Sequence, residues 1–270
     1  MKFSAIVICI FILSSCTINR KIYSPVEVNN PSLQNKNDYS ANLSYGLPSG
    51  FDINGGYAIT NRIAVTASLF SHKNDDTEVE YNLFNNRSDS SYLLYKHKGI
   101  QIGAGLYFPI SRDKKTISAS FFGGYIKGIF EMREKLYQTY PTQSTSPKHN
   151  FYKSDLNRYF LQGSFNAYLP QVHLSFTTRF MFAGYDNVAT DYDNNEQIYY
   201  RLPPNGNSKW SSFLDFSFNS RFFFSKKEQI GLQISCIANT RLNREGFNFD
   251  YYAFRTSLGI VIKTPVKKNK

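Results

Sequence analysis

The 270-residue chain is poor in several residue types, and each scarcity excludes something. Three widely separated Cys cannot build a disulfide scaffold or a cysteine-based zinc site. Beyond residue 15, no apolar run reaches the roughly 18 residues of a helical membrane span. Met (3) and Trp (1) are rare beside 24 Phe and 20 Tyr, a balance that favours strands over helices. Acidic residues are in deficit, 20 Asp and Glu against 31 Lys and Arg, for a formal charge of +11. There is no α/β alternation and no repeat with a period of roughly 20–50 residues. A hydrophobic content of 41% excludes a disordered polymer. A β-rich, strongly aromatic chain remains.

Residues 1–15 have the form of an export signal. Lys2 supplies a positive start, and Phe3 to Leu13 supply an apolar stretch too short to cross a bilayer. The stretch ends in Leu13-Ser14-Ser15-Cys16: an aliphatic residue, two small residues, then Cys. This resembles the lipobox of bacterial lipoproteins. The resemblance implies lipidation at Cys16, cleavage just before it, and anchoring by acyl chains that contribute about 0.8 kcal/mol per buried CH₂. The plainer alternative is an ordinary secretory signal followed by an unrelated Cys. Cleavage removes Lys2 and takes the charge from +11 to +10, leaving Cys236 without a disulfide partner. Thr17 in place of an Asp implies the outer membrane, and no acidic cluster after Cys16 marks the anchor for the cell surface.

Residues 16–37, rich in Asn, Ser, Pro and Lys, read as a periplasmic tether. From Tyr39 onward, apolar and polar residues alternate, which is the period of a strand. Between Gly99 and Ile110 the even positions are Ile100, Ile102, Ala104, Leu106, Phe108 and Ile110. In the same way Val172, Leu174, Phe176, Phe180 and Phe182 interleave with His173, Ser175, Thr177 and Arg179. Ten strands are predicted, at about 38–47, 51–59, 63–71, 96–110, 116–130, 156–169, 171–184, 209–224, 229–241 and 250–263. Short connections alternate with long ones at 72–95, 131–155 and 185–208; Pro48-Ser49-Gly50 is short where a long one is expected. This pattern describes an all-β, closed antiparallel up-and-down barrel over residues 38–264, with about ten strands (eight being the alternative), and a basic tail at 265–270.

Alternation does not say which face meets water. A soluble lipocalin-like barrel turns its apolar set inward, whereas a transmembrane barrel turns it towards lipid. Three features favour lipid. The polar set is mostly small and uncharged, several strands exceed the length needed to cross the apolar slab, and aromatics such as Tyr39, Phe51, Tyr168, Trp210 and Tyr251 recur near strand ends. Together with the lipobox, Tyr23-Ser24-Pro25, Gly55 to Ile59 and Ile63-Ala64-Val65 resemble the small outer-membrane β-barrel lipoproteins of Gram-negative bacteria. That resemblance implies a transmembrane barrel anchored in the outer membrane. The chain departs from many such barrels in ending with Lys270 instead of an aromatic residue.

The inward set then includes Asp52, Arg158, Arg179, Asp215, Arg221 and Arg255. Charges in a narrow lumen need partners or water. They form either an ion-pair network that plugs the lumen or the lining of an anion-preferring pore. Asp191-Tyr192-Asp193-Asn194-Asn195 lacks the Gly and distal Glu of a calcium loop, so no metal is expected. His72, His97 and His149 fall in loops or at a strand start, and only His173 lies within a strand, sharing a face with Ser175. No nucleophile elbow or HExxH motif is present, so neither an enzyme nor a cofactor is expected. The expected role is structural or interactive. The expected partners are outer-membrane lipid, the acyl chains on Cys16, and another envelope protein met through the long loops, with no nucleic acid. A narrow Arg-lined channel and a tethered lipocalin-like carrier are the alternatives.

Overall fold

The computed structural model describes residues 20–265 apart from 49, 83–86, 111–115, 141, 142, 145, 203–207, 226 and 244–248. The signal at 1–15, Cys16 and most of the basic tail therefore lie outside the described residues.

Ten strands build the barrel: β2 (Tyr39–Leu47), β3 (Gly50–Ala58), β4 (Ile63–Asn82), β5 (Arg87–Pro109), β6 (Ile117–Tyr140), β8 (Lys148–Leu169), β9 (Val172–Thr190), β10 (Lys209–Phe223), β11 (Ile230–Arg241) and β13 (Phe254–Lys263). Three short strands are accessory: β1 (Lys21–Tyr23), β7 (Gln143–Ser144) and β12 (Asp250–Tyr251). The barrel strands pair antiparallel with their chain neighbours, and β13 pairs with β2 to close the ring. An even strand number makes that closure antiparallel and removes both edges. The fold is thus a closed ten-stranded up-and-down barrel, with one short helix, α1 (Asn194–Tyr200), among the described residues.

Over much of its height the barrel is apolar outside and polar inside. Leu43, Ile53, Leu69, Ile100, Phe165, Phe176, Phe218 and Leu258 are exposed, whereas Ser44, Asn54, Ser68, Gln101, Ser164, Thr177, Ser217 and Ser235 are buried in the lumen. Tyr125, Tyr159, Trp210 and Phe182 edge this band as a chain of ring contacts, with centroids 5.2, 6.3 and 4.7 Å apart.

The segments 72–95 and 131–155, expected as long loops, are instead mostly strand among their described residues. β4, β5, β6 and β8 run for 20, 23, 24 and 22 residues. Beyond the apolar band the pattern keeps its period and exchanges its faces. Leu93, Tyr95, Phe130, Met132, Leu156 and Tyr185 now point inward and are buried. Lys73, Lys96, Lys98, Lys127, Arg133 and Lys153 point outward. This extension follows the rule of a soluble barrel, with its own aromatic core. The loop expected at 185–208 starts as strand, to Thr190, and continues as α1. His72, His97 and His149 are strand residues too, on β4, β5 and β8.

Candidate functional site

Short inward side chains leave the lumen wide enough to admit another stretch of backbone, and this chain supplies one. Between residues 20 and 33, Ile22, Tyr23, Val26, Glu27, Val28, Asn29, Asn30 and Leu33 are all buried. Most of the stretch expected as a tether is therefore a plug threaded through the barrel. It runs from the end with the long strands, where Lys21 Nζ bonds Asp76 at 2.8 Å, to the short-turn end, where Tyr168 Oη donates to Leu33 O at 3.5 Å. At the long-strand end β1 pairs in parallel with β12. Residues 34–38 then turn the chain back into β2.

Because the plug is extended, its backbone groups need partners in the wall. Asn29 Nδ2 donates to Gly55 O and Ala67 O, both at 2.9 Å, and Gln162 donates to Asn29 O at 2.9 Å. Asn30 donates to Asn166 at 2.8 Å, and Pro25 and Pro31 bring no N–H into the lumen. Gly56 is required by close approach, since a Cβ there would stand 2.5 Å from the Pro31 ring.

All six residues of the predicted lumen set are buried, and the plug divides them into separate groups. Arg179 donates to Asp215 Oδ2 through Nε at 2.9 Å and Nη2 at 2.6 Å, and to the plug carbonyl of Val26 at 2.8 Å; Tyr23 Oη donates to the same carboxylate at 3.2 Å. Arg255 donates to Asp52 at 2.5 Å and to Pro25 O at 3.2 Å, with His72 Nε2 placed 3.2 Å from Asp52. Arg221 donates to Asn30 O at 2.7 Å and to Gln233 Oε1 at 2.6 Å. Arg158 donates to His97 Nε2 at 3.1 Å and stacks 4.6 Å from the centre of the Tyr23 ring, with no carboxylate in ion-pair distance among the described residues.

Several key residues escaped the sequence. Glu27, brought in by the plug, accepts from Asn42 at 3.0 Å and Ser235 at 3.1 Å, and from Ser44 and Gln233. Arg20 donates to Glu134 at 3.0 and 2.5 Å while stacking on Tyr200 at 4.5 Å. The overlooked signal was the apolar content of the supposed tether: Ile22, Tyr23, Val26, Val28 and Leu33 have no place in a solvated linker. His173, buried beside Ser175, faces Glu228 at 2.9 Å and Ser32 at 3.5 Å. Among the described residues no three His, Cys, Asp or Glu converge on a common point that would hold a metal ion.

No family model matches the chain, and no curated protein does. Among solved structures, it is similar to the CymD monoaromatic hydrocarbon channel at 7% identity and a TM-score of 0.28, covering 87% of this chain and 90% of that one.

Proposed function

We propose that the protein is a closed outer-membrane β-barrel, lipid-anchored through Cys16, with a structural or interaction role in the cell envelope. One observation carries this reading: residues 20–33 occupy the lumen and engage Arg179, Arg221, Arg255 and the wall amides. The outward apolar band supports placement in a bilayer, because a surface of that extent in water would drive aggregation. The strands projecting beyond the band, and the exposed Ile198 and Tyr199 of α1, offer the surface for an envelope partner. No catalytic role or cofactor is proposed. A carrier role loses its support, since the inward wall of the band is polar and its space is filled.

The plug also bears on the anchor. Arg20, four residues after Cys16 in the sequence, stands at the long-strand end, and β2 begins at the short-turn end.

The purified protein in planar bilayers tests the closed state. It should pass no steady current, and a variant lacking residues 20–33 should conduct or fail to stay folded. A stable current through the intact chain would replace this reading with the channel. Arg158 favours an anion preference for such a path, because with the plug gone the wall presents Arg158, Arg179, Arg221 and Arg255 against Asp52 and Asp215.

A further inference from the structure

On the outer wall two troughs of about 830 and 440 Å³ lie beside each other along the strand direction, the first crossing β2 to β6 and reaching Tyr159 of β8, the second crossing β3 to β6. Ala67 and Ile102 line the first, and Leu69 and Ile100, the next outward residues on the same strands, line the second. The floor of the first has two sets of small residues in register, Ala41 opposite Gly55 and Gly55 opposite Ala67, and, two positions along the strands, Ala104 opposite Gly123. Internal packing does not ask for a glycine at 55, since a Cβ there would meet nothing closer than 3.9 Å. The small side chains leave a recess along a wall that is elsewhere studded with Leu, Ile and Phe.

The second trough ends at Lys98. Around it stand three more exposed cations. Lys96 is the next outward residue on β5, Lys73 lies directly opposite Lys96, and Lys127 lies opposite Ile100, diagonal to Lys98. Like charges set side by side on one sheet face repel. None of the four has an ion-pair partner among the described residues. The nearby carboxylates are otherwise engaged: Glu131, opposite Lys96, is held by Arg133 at 2.5 Å, and Asp75 bonds Tyr92. The cluster sits where the outward face changes from apolar to charged, at the height of lipid headgroups.

We infer that this wall is a binding site for an anionic phospholipid of the surrounding bilayer, with an acyl chain in the trough and its phosphate over Lys73, Lys96, Lys98 and Lys127. The site rests on the barrel lying in a bilayer. It is independent of whether the lumen conducts.

The test uses the full chain in phosphatidylcholine vesicles carrying a trace of spin-labelled phosphatidylglycerol or spin-labelled phosphatidylcholine. Electron paramagnetic resonance reads the motionally restricted fraction. The wild-type protein should favour phosphatidylglycerol by about tenfold. The Lys73→Gln/Lys96→Gln/Lys98→Gln/Lys127→Gln variant should bind the two lipids equally. The Gly55→Leu/Ala67→Leu variant, with its trough filled, should restrict both lipids less. Equal binding by the wild type, an undiminished preference in the four-Gln variant, or no loss in the filled variant would each overturn the proposal. Displacement of the labelled lipid by soluble glycerol phosphate would also overturn it, by making the lysines a site for free phosphate. Heat-modifiable gel migration identifies folded barrels for every variant. A wild-type protein that stays in the aqueous phase would sink the bilayer reading itself.

Discussion

The same strands obey two opposite rules at two heights. In the apolar band β5 turns Ile100 and Ile102 outward and Gln101 inward; a few residues away it turns Lys96 and Lys98 outward and Tyr95 and Leu93 inward. β6 does likewise, from Phe121 outside and Ser120 inside to Arg133 outside and Met132 inside. Nothing in the backbone changes, for the ladder continues without a break through both regions. On the proposed reading, what changes is the medium beyond the wall. Hydrocarbon accepts the apolar set and leaves polar groups for the lumen, whereas water reverses the preference. On the proposed bilayer reading, the point of reversal marks the edge of the bilayer on the strand itself.

The two heights should therefore fail in different ways. The largest loss is expected in the polar lumen. Arg179→Met strands the fully buried Asp215 and should cost about 3–5 kcal/mol in urea unfolding from lipid vesicles. Replacing both partners, as Arg179→Met/Asp215→Leu, should recover most of that. If single and double variants lose the same amount, the pair does not act as a unit.

In the aromatic core above the band, Leu156→Ala should cost about 2–5 kcal/mol, because Leu156 is fully buried. Leu161→Ala, on the outward face of the same strand and 68% exposed, should cost far less. Equal losses at the two positions would erase the distinction between core and lipid face.

A charge placed on the band gives the next contrast. Ile102→Arg, on the outward face of the band, should cost up to about 4 kcal/mol, the depth-dependent cost of a charge facing lipid. Thr77→Arg, on the outward face of the projecting part of β4, should be close to neutral. The comparison would break if Arg were tolerated equally at both sites, measured as urea midpoints.

The smallest effect is expected at α1. The Asp193 carboxyl is held below its ordinary range, chiefly by the backbone N–H of Glu196 and then by Lys148. Its capping contribution is therefore complete above the ordinary Asp value of about 3.9 and is lost as pH falls through the lowered one. The protection factor at Gln197, exchange taken relative to its intrinsic rate at each pH, should fall on acidification below that range, and Asp193→Ala should show the lower protection already at neutral pH. Unchanged exchange in the variant would mean that packing, and not the cap, holds the helix.

Much of the barrel was legible because alternation is a local signal. The strands predicted at 171–184, 209–224 and 229–241 correspond to Val172–Thr190, Lys209–Phe223 and Ile230–Arg241. The pattern lost its sense at Lys73, Lys96 and Arg133, where the faces exchange. A strand there reads as a polar loop to anyone who expects apolar residues to stay on one side. The lumen residues were visible as single charges out of phase with the apolar set, but their partners were not. Nothing along the chain links Arg255 to Pro25 or Arg221 to Asn30, which lie 230 and 191 residues apart.

The amino-acid order by itself pointed to about ten barrel strands and determined which side chains share a face, because a pleated strand sends neighbours to opposite sides whatever surrounds it. Only the tertiary structure decided what fills the barrel. Residues 20–33 have no period of their own, and their place follows from a closed ring of short polar side chains that has room, donors and acceptors for one more stretch of backbone.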